Sequence, residues 1–329
     1  MQDTYKIELL TKANSALFKG VYNDFVSKAI SEYKFELPPL PFGEFIDAVD
    51  EELIKCLVLN ENDIPTAFLV YTTAISESIE LNMIHCLGSE DLVSKRRLLI
   101  DEFLIRTRDI RRKAVVCYPM LGSQSEFTGD IAHYGFRFVG LAVLRFMLND
   151  PQSNLIFDKA ELSHMGYQMR VAGWSDNYRN DAIRVIHSNF KETSDALFDT
   201  RFKTMQGTED IIDKIVENVY GEFLPTATSV LLHLEKPVGF AFTNVTGGRI
   251  ANIPLVAINK EYRGKGYSEH LLKHSLGVVK DMNKSGKRDF SEINVTTETD
   301  NYGALKMYRN VGFKEDYSYT QAYLPMSKQ

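Results

Sequence analysis

Between Ile253 and Glu269 the chain passes from an apolar, strand-like run through Arg263-Gly264-Lys265-Gly266-Tyr267-Ser268 into a helical pattern, and few folds accommodate that junction. A strand that ends in two closely spaced glycines and turns into a helix presents several backbone N–H groups, with the positive end of the helix dipole, to one point in space. A diphosphate fits such a point. Gly264 and Gly266 let the backbone approach a ligand without a Cβ in the way, while Arg263 and Lys265 add positive charge beside it. A Walker loop and a dinucleotide fingerprint both require other glycine spacings, and neither is present. On this stretch alone an ordinary tight turn stays open as the alternative.

A second cluster, Asn301 to Phe313, follows the β-like run Phe290 to Val295. Ala304, Tyr308 and Val311 recur at helical spacing, and Gly312 marks the stop of that short helix in a left-handed cap. Together the two stretches resemble the GCN5-related N-acetyltransferases (GNAT). The first is similar to that family's Gln/Arg-x-x-Gly-x-Gly/Ala motif, with Arg263 and Gly266 in place and Ser268 departing at the last small position; the second matches Asn-x-x-Ala-x-x-x-Tyr-x-x-x-Gly-Phe at every marked position.

Other segments of this half read as the elements such a fold needs. Tyr167 to Val171 is a strand, Asn177 to Phe190 and Asp210 to Tyr220 are helices, and Ser229 to Leu234 with Gly239 to Thr243 form a hairpin. Gly247-Gly248 turns the chain into one strand ending at Ile258, and Ser318 to Tyr323 closes the sheet. The expected class is α/β, with a mixed, mostly antiparallel sheet flanked by helices.

The resemblance uses only the later half of a chain of 329 residues. Asn149 to Asn154 is polar and turn-rich, which places a boundary between Asp150 and Gly166 and gives domains of 1–150 and 166–329. In the first half the order is strand, helix, hairpin, strand, helix, strand and a closing Gly135-Phe136 before the strand Leu141 to Met147, the pattern of a second, tandem copy of the same fold. Its loop, Gly88-Ser89-Glu90-Asp91, is acidic and would repel a diphosphate, and Ile131 stands where the later copy has Tyr308. The expectation is a degenerate scaffold domain or a lid over the substrate cleft.

A net charge of −6, with no long basic run, argues against nucleic acid as a partner, and Lys95-Arg96-Arg97 reads as a solvated helix face. The first residues lack a cationic then apolar leader, and no apolar run approaches about 18 residues, so a cytoplasmic chain with no membrane partner is expected. Cys56, Cys86 and Cys117 read as buried thiols. His270 and His274, four apart, lack a third ligand, so no metal is expected and both read as solvent-facing. Monomer and homodimer both stay open.

The resemblance implies acetyl transfer from acetyl-CoA, as acyl donor, to a primary amine of a small molecule or peptide, by direct attack in a ternary complex. It implies a cofactor site of Arg263, Gly264, Lys265, Gly266, Tyr267 and Ser268 for the diphosphate, with Val256, Ala257 and Ile258 pairing the pantetheine arm like an added strand and an N–H near Ile258 as an oxyanion donor. Asn301 and Ala304 lie close to the sulfur, Asn301 also suiting a helix N-cap. Tyr308 is the expected general acid. For the base, Asn252 occupies the strand position of a family glutamate and could only hold water, and Glu298, in a loop just past the strand, is the nearest carboxylate. Asp195 to Gly207, with Phe198-Asp199-Thr200-Arg201-Phe202, either walls the acceptor cleft or packs on the first domain. A non-catalytic acyl-CoA sensor is the alternative to an enzyme; the identity of the amine and the acyl preference stay open.

Overall fold

A computed structural model describes residues 5–32, 38–73, 78–110, 114–117, 124–160 and 162–325. The chain forms two units, Met1–Val139 with Tyr319–Gln329, and Gly140–Ser318. Strands and helices run β1 (Tyr5–Leu9), α1 (Ser15–Ala29), α2 (Phe42–Asp50), β2 (Lys55–Glu61), β3 (Ile64–Thr72), β4 (Ile79–Cys86), α3 (Leu92–Thr107), β5 (Ala114–Cys117), α4 (Gln124–Ala132) and β6 (Arg137–Met147). They continue with α5 (Pro151–Lys159), β7 (Met169–Gly173), α6 (Arg179–Phe190), α7 (Asp195–Phe198), α8 (Met205–Val216), β8 (Glu222–Phe223), β9 (Ser229–His233), β10 (Lys236–Ala241), β11 (Asn244–Gly247) and β12 (Ile250–Asn252). Last come β13 (Val256–Ile258), α9 (Tyr267–Lys284), β14 (Glu292–Glu298), α10 (Tyr302–Asn310) and β15 (Lys314–Pro325).

In the first unit β2 and β3 are buried on both faces, as strict alternation shows. Leu57, Leu59 and Leu69 pack with Leu99, Ile100 and Phe103 of α3, whereas Val58, Phe68 and Val70 pack with α1 and α2 through Phe18, Tyr22, Phe25 and Phe45. β4 stays paired with β3 from Ala67↔Cys86 to Thr72↔Glu80. Cys56 and Cys86 are buried free thiols, and the side chain of Cys117 lies outside the described residues. Lys95 is buried against Glu61 at 3.0 Å, and Arg96 Nε donates to Asp130 at 2.6 Å, so this basic run is an ion-paired helix flank and not a solvated face.

His85 of β4 is buried beside the Phe25 and Phe68 rings, with Nε2 3.0 Å from Asp24, which also holds Lys28 at 2.9 Å. Burial pushes its imidazole down to about 4, against the pull of Asp24. An unfolded histidine titrates near about 6.5, so between these values the unfolded chain holds a proton that the folded one lacks. Stability of the first unit is therefore full above about pH 6.5 and falls as the pH drops towards about 4. Urea unfolding across that interval should show the fall, and His85→Gln should flatten it.

Both boundaries of the second unit differ from a single cut between Asp150 and Gly166. β6 pairs along β14 from Glu292↔Met147 to Glu298↔Leu141, which carries residues from Gly140 onward into the second unit. The end of β15 pairs instead with β5, from Ala322↔Cys117 to Pro325↔Ala114, and belongs with the first. The supposed linker is helix α5. Asp150 is its N-cap, accepting from Ser153 N at 2.8 Å, and Pro151 follows at the position where a missing N–H costs nothing. Polarity at 149–154 therefore marks a helix start.

The second unit places α9 and α10 on one side of its sheets, through Leu271, Leu272, Leu276, Leu305 and Tyr308 against Leu144, Ile293 and Val295. On the other side α6 and α8 bury Ile183, Ile186, Ile211 and Ile212 against Val230, Leu232 and Phe240. The run from Ile250 to Ile258 is two strands rather than one. β12 lies between β11 and β14, while β13 is the last strand of a separate sheet ordered β13, β10, β9, β7. Pro254, which has no N–H, sits at the transfer: Ile253 N still donates to Asn294 O at 3.0 Å, and Leu255 O already accepts from Phe242 N at 2.9 Å.

Candidate active site

That transfer opens the sheet between β13 and β14. β13 pairs with β10 through Gly239↔Ile258, Phe240↔Ala257 and Ala241↔Val256. Antiparallel bonding alternates, and Phe242 N to Leu255 O and Asn259 N to Val238 O fix its phase. Leu255, Ala257 and Asn259 therefore bond to β10, and the backbone groups of Val256 and Ile258 point to the free edge. Ile258 O is taken by Arg263 Nε at 3.2 Å, which leaves Ile258 N–H and both polar groups of Val256 without a partner among the described residues. An extended, amide-bearing ligand can add to such an edge as a further strand.

Beyond β13 the glycine loop adopts the conformation its composition requires. Gly264 and Gly266 have φ of +72° and +75°, and Gly266 is the N-cap of α9 with no side-chain cap. Among the described residues none of the N–H groups from Gly264 to Ser268 has a protein acceptor, and Arg263, Gly264 and Lys265 are exposed. Successive free donors at a helix N-terminus suit a diphosphate, so the residues present fit coenzyme A. Two supports hold the loop: Arg263 binds Ile258 O and Asn189 Oδ1, and Ser163 Oγ donates to Lys265 O at 2.7 Å. Tyr267 and Ser268 are half-buried at the start of α9. His270 Nε2 lies 2.8 Å from Ser163 O, and half-buried His274 has Nδ1 2.9 Å from Ser229 Oγ. Both histidines thus have protein partners, and burial lowers the pKa of His274.

Asn301 caps α10, its Oδ1 accepting from Ala304 N at 3.1 Å. Within α10 Tyr308 is 5% exposed and packs edge-on against Phe313 at 5.6 Å. Burial, and then the charge of Asp195, push its phenol well above the ordinary range, so it is a neutral donor at any physiological pH. Its hydroxyl has no hydrogen-bond partner among the described residues.

Glu298 is the last residue of β14, not part of a loop, and its carboxylate accepts from Ser194 Oγ. Asn252 lies level with Asn244 and Asn294 on its two neighbouring strands, with Arg145 next in the row. By strand alternation this row and Glu298 occupy the face opposite Ile293 and Val295. The expected cleft wall divides in two. Phe198 and Phe202 are buried and Arg201 pairs with Asp199 and Asp210, which makes that run structural. Asp195, at its start, differs: solvent reaches it, yet surrounding protein and then the charge of Glu298 raise its carboxyl, while Thr193 Oγ1 donates to it at 3.0 Å. No sequence pattern singled Asp195 out.

The sheet of the second unit, split beside a free strand edge and a glycine cradle, has the GNAT arrangement, and the whole chain shares its fold with a tandem GNAT protein. In its C-terminal half, residues 196–313 match the model of the acetyltransferase (GNAT) family. A GCN5-related N-acetyltransferase from Sphaerobacter thermophilus shares the fold with a TM-score of 0.65 at 13% identity, over 98% of this chain and 96% of that one. A tandem GNAT protein from the clavulanic acid biosynthesis pathway matches over 99% of this chain and 100% of its own, with a TM-score of 0.57 at 10% identity. N-alpha-acetyltransferase 30 of Schizosaccharomyces pombe is 41% identical over 61 residues, 18% of this chain and 37% of that protein, so the match spans little more than a third of that relative. Among the described residues no helix is long and apolar enough to cross a membrane, and no group of His, Cys, Asp and Glu could hold a metal ion.

Proposed function

We propose that the chain transfers an acetyl group from acetyl-CoA to a primary amine, in a small molecule or at a peptide, by direct attack in a ternary complex. The observation that carries this reading is the free edge of β13 running into unpaired N–H groups, with the unpartnered Tyr308 hydroxyl nearby. Bound acetyl-CoA supplies the thioester. Residues 264–268 hold its diphosphate, Val256 and Ile258 align its amide-rich arm, and Ile258 N–H polarises the carbonyl. Tyr308 gives its proton to the departing sulfur, and orientation within the cleft contributes much of the rate. The partial match to an N-alpha-acetyltransferase brings peptide N-termini into the panel of amines worth testing.

The first unit is a degenerate scaffold in this reading. Asp91 sits at the N-terminus of α3, where Ser94 Oγ donates to it at 3.0 Å, and Ile131 is buried. Calorimetry should find one acetyl-CoA per chain; two would refute the scaffold role, and none would refute the acetyltransferase. Gly266→Ala should weaken that binding at least about tenfold, because its Cβ meets Ser163 Oγ at 2.5 Å in a left-handed backbone that costs about 1 to 2 kcal/mol for other residues. Unchanged affinity would separate the loop from the diphosphate. Thiol release over the amine panel distinguishes an enzyme from a non-catalytic acyl-CoA sensor.

A further inference from the structure

We propose that Asp195 is the general base of this site and that Asp195 with Glu298 selects an acceptor arriving as a cationic primary ammonium. The proposal rests on the acetyltransferase reading above and adds a residue that lies just outside the matched family segment, 196–313. The three groups come from three elements: Asp195 opens α7, Glu298 ends β14, and Tyr308 lies within α10. Tyr308 belongs to the cluster on one face of the sheet and Glu298 faces the other, so the opening between β13 and β14 is where the two faces meet.

Ser194, the residue before Asp195, donates its Oγ to Glu298, which brings the two carboxylates to the same place, and such a pair needs a counter-charge. Among the described residues no cation pairs with either, and each instead accepts from a neutral hydroxyl, Ser194 for Glu298 and Thr193 for Asp195. Tyr308 supplies the independent sign of a ligand: a polar side chain more than nine-tenths buried, with no partner among the described residues and within reach of the charge on Asp195. Of the titratable groups on facing elements, Glu298 acts on Asp195, and the charge of Asp195 in turn acts on Tyr308. Asn252 cannot take a proton, and Glu298 has one oxygen engaged by Ser194.

Asp195 takes one proton from the ammonium and releases it to solvent, which reaches it directly. The freed nitrogen lone pair forms the C–N bond as the carbonyl π pair moves to oxygen. That pair then returns, the C–S bond breaks, and the sulfur receives the Tyr308 proton, while the second nitrogen proton restores the phenol through water. One ammonium and one thioester give one amide, one thiol and one released proton.

The test labels aspartate carboxyl carbons with 13C in the full chain and titrates them by NMR without acetyl-CoA, with Asp195→Asn as the assignment control. Asp195 should titrate above the usual carboxylate range, and Glu298→Gln should move it down. In turnover, the acidic limb of kcat/KM should follow that titration and shift to lower pH in Glu298→Gln, whereas Asp195→Asn should lose about 10²- to 10³-fold with acetyl-CoA still bound at one per chain. An ordinary titration indifferent to Glu298→Gln overturns the proposal, as does turnover abolished by Glu298→Gln and merely shifted by Asp195→Asn. A parent that releases no thiol with any amine, yet shows the raised titration, refutes the acetyltransferase reading and leaves the carboxylate pair standing.

Discussion

Tyr308→Phe should lower kcat by about 10²- to 10⁴-fold, the range for losing a positioned general acid, while acetyl-CoA affinity stays close to the parent's. The change removes one oxygen and keeps the ring that packs against Phe313 at 5.6 Å. Because the hydroxyl has no partner among the described residues, its removal orphans no other buried group. The thermal midpoint should therefore hold or rise slightly. Loss of rate without loss of stability or cofactor binding is the signature of a group kept for chemistry. Single-turnover thiol release beside a thermal melt reads both, and parent-like turnover would remove Tyr308 from the reaction.

Gly312→Ala should be strongly destabilising to the second unit. Gly312 has a φ of +103°, and a Cβ there would meet Ser153 O at 2.6 Å and the Phe146 ring at 2.8 Å. Neither neighbour yields easily, since one is backbone of α5 and the other is fully buried. Backbone strain of about 1 to 2 kcal/mol and overpacking of about 1 to 3 kcal/mol together suggest a loss of about 3 kcal/mol. At about 2 to 4 °C per kcal/mol, calorimetry should place unfolding of this unit about 10 °C lower. A shift under about 2 °C would show that the chain relaxes around the added carbon.

Gly312 also shows why much of this half was legible in its sequence. Its glycine is demanded by a backbone angle and a close approach together, and the same holds for Gly266, whereas Gly264 is demanded by its left-handed angle alone; both angles free the N–H groups of the loop. Constraints of that kind operate over a few residues and leave fixed spacings. Other features depend on partners remote in sequence. The break at Pro254 read as one continuous strand, because the apolar pattern on either side is the same whether the residues share a sheet or change sheets. Asp150-Pro151 read as a linker, although the same residues start α5 once Ser153 closes the cap. Asp195 carried no local signature at all. Its environment comes from the surrounding protein and from Glu298, and only the fold brings them to it.

The grouping of Tyr319–Gln329 with the first unit reverses the usual order of assembly. On the ribosome, domains tend to fold as they emerge, the N-terminal one first. Here the strand residues that pair Ala322 with Cys117 and Leu324 with Val115 emerge after every element of the second unit. Until then β5 presents a bare edge of the sort that invites pairing with another chain. Maturation of the first unit thus waits on a strand made after the second unit, and a proteolytic nick ahead of that strand would be felt in the unit made before it.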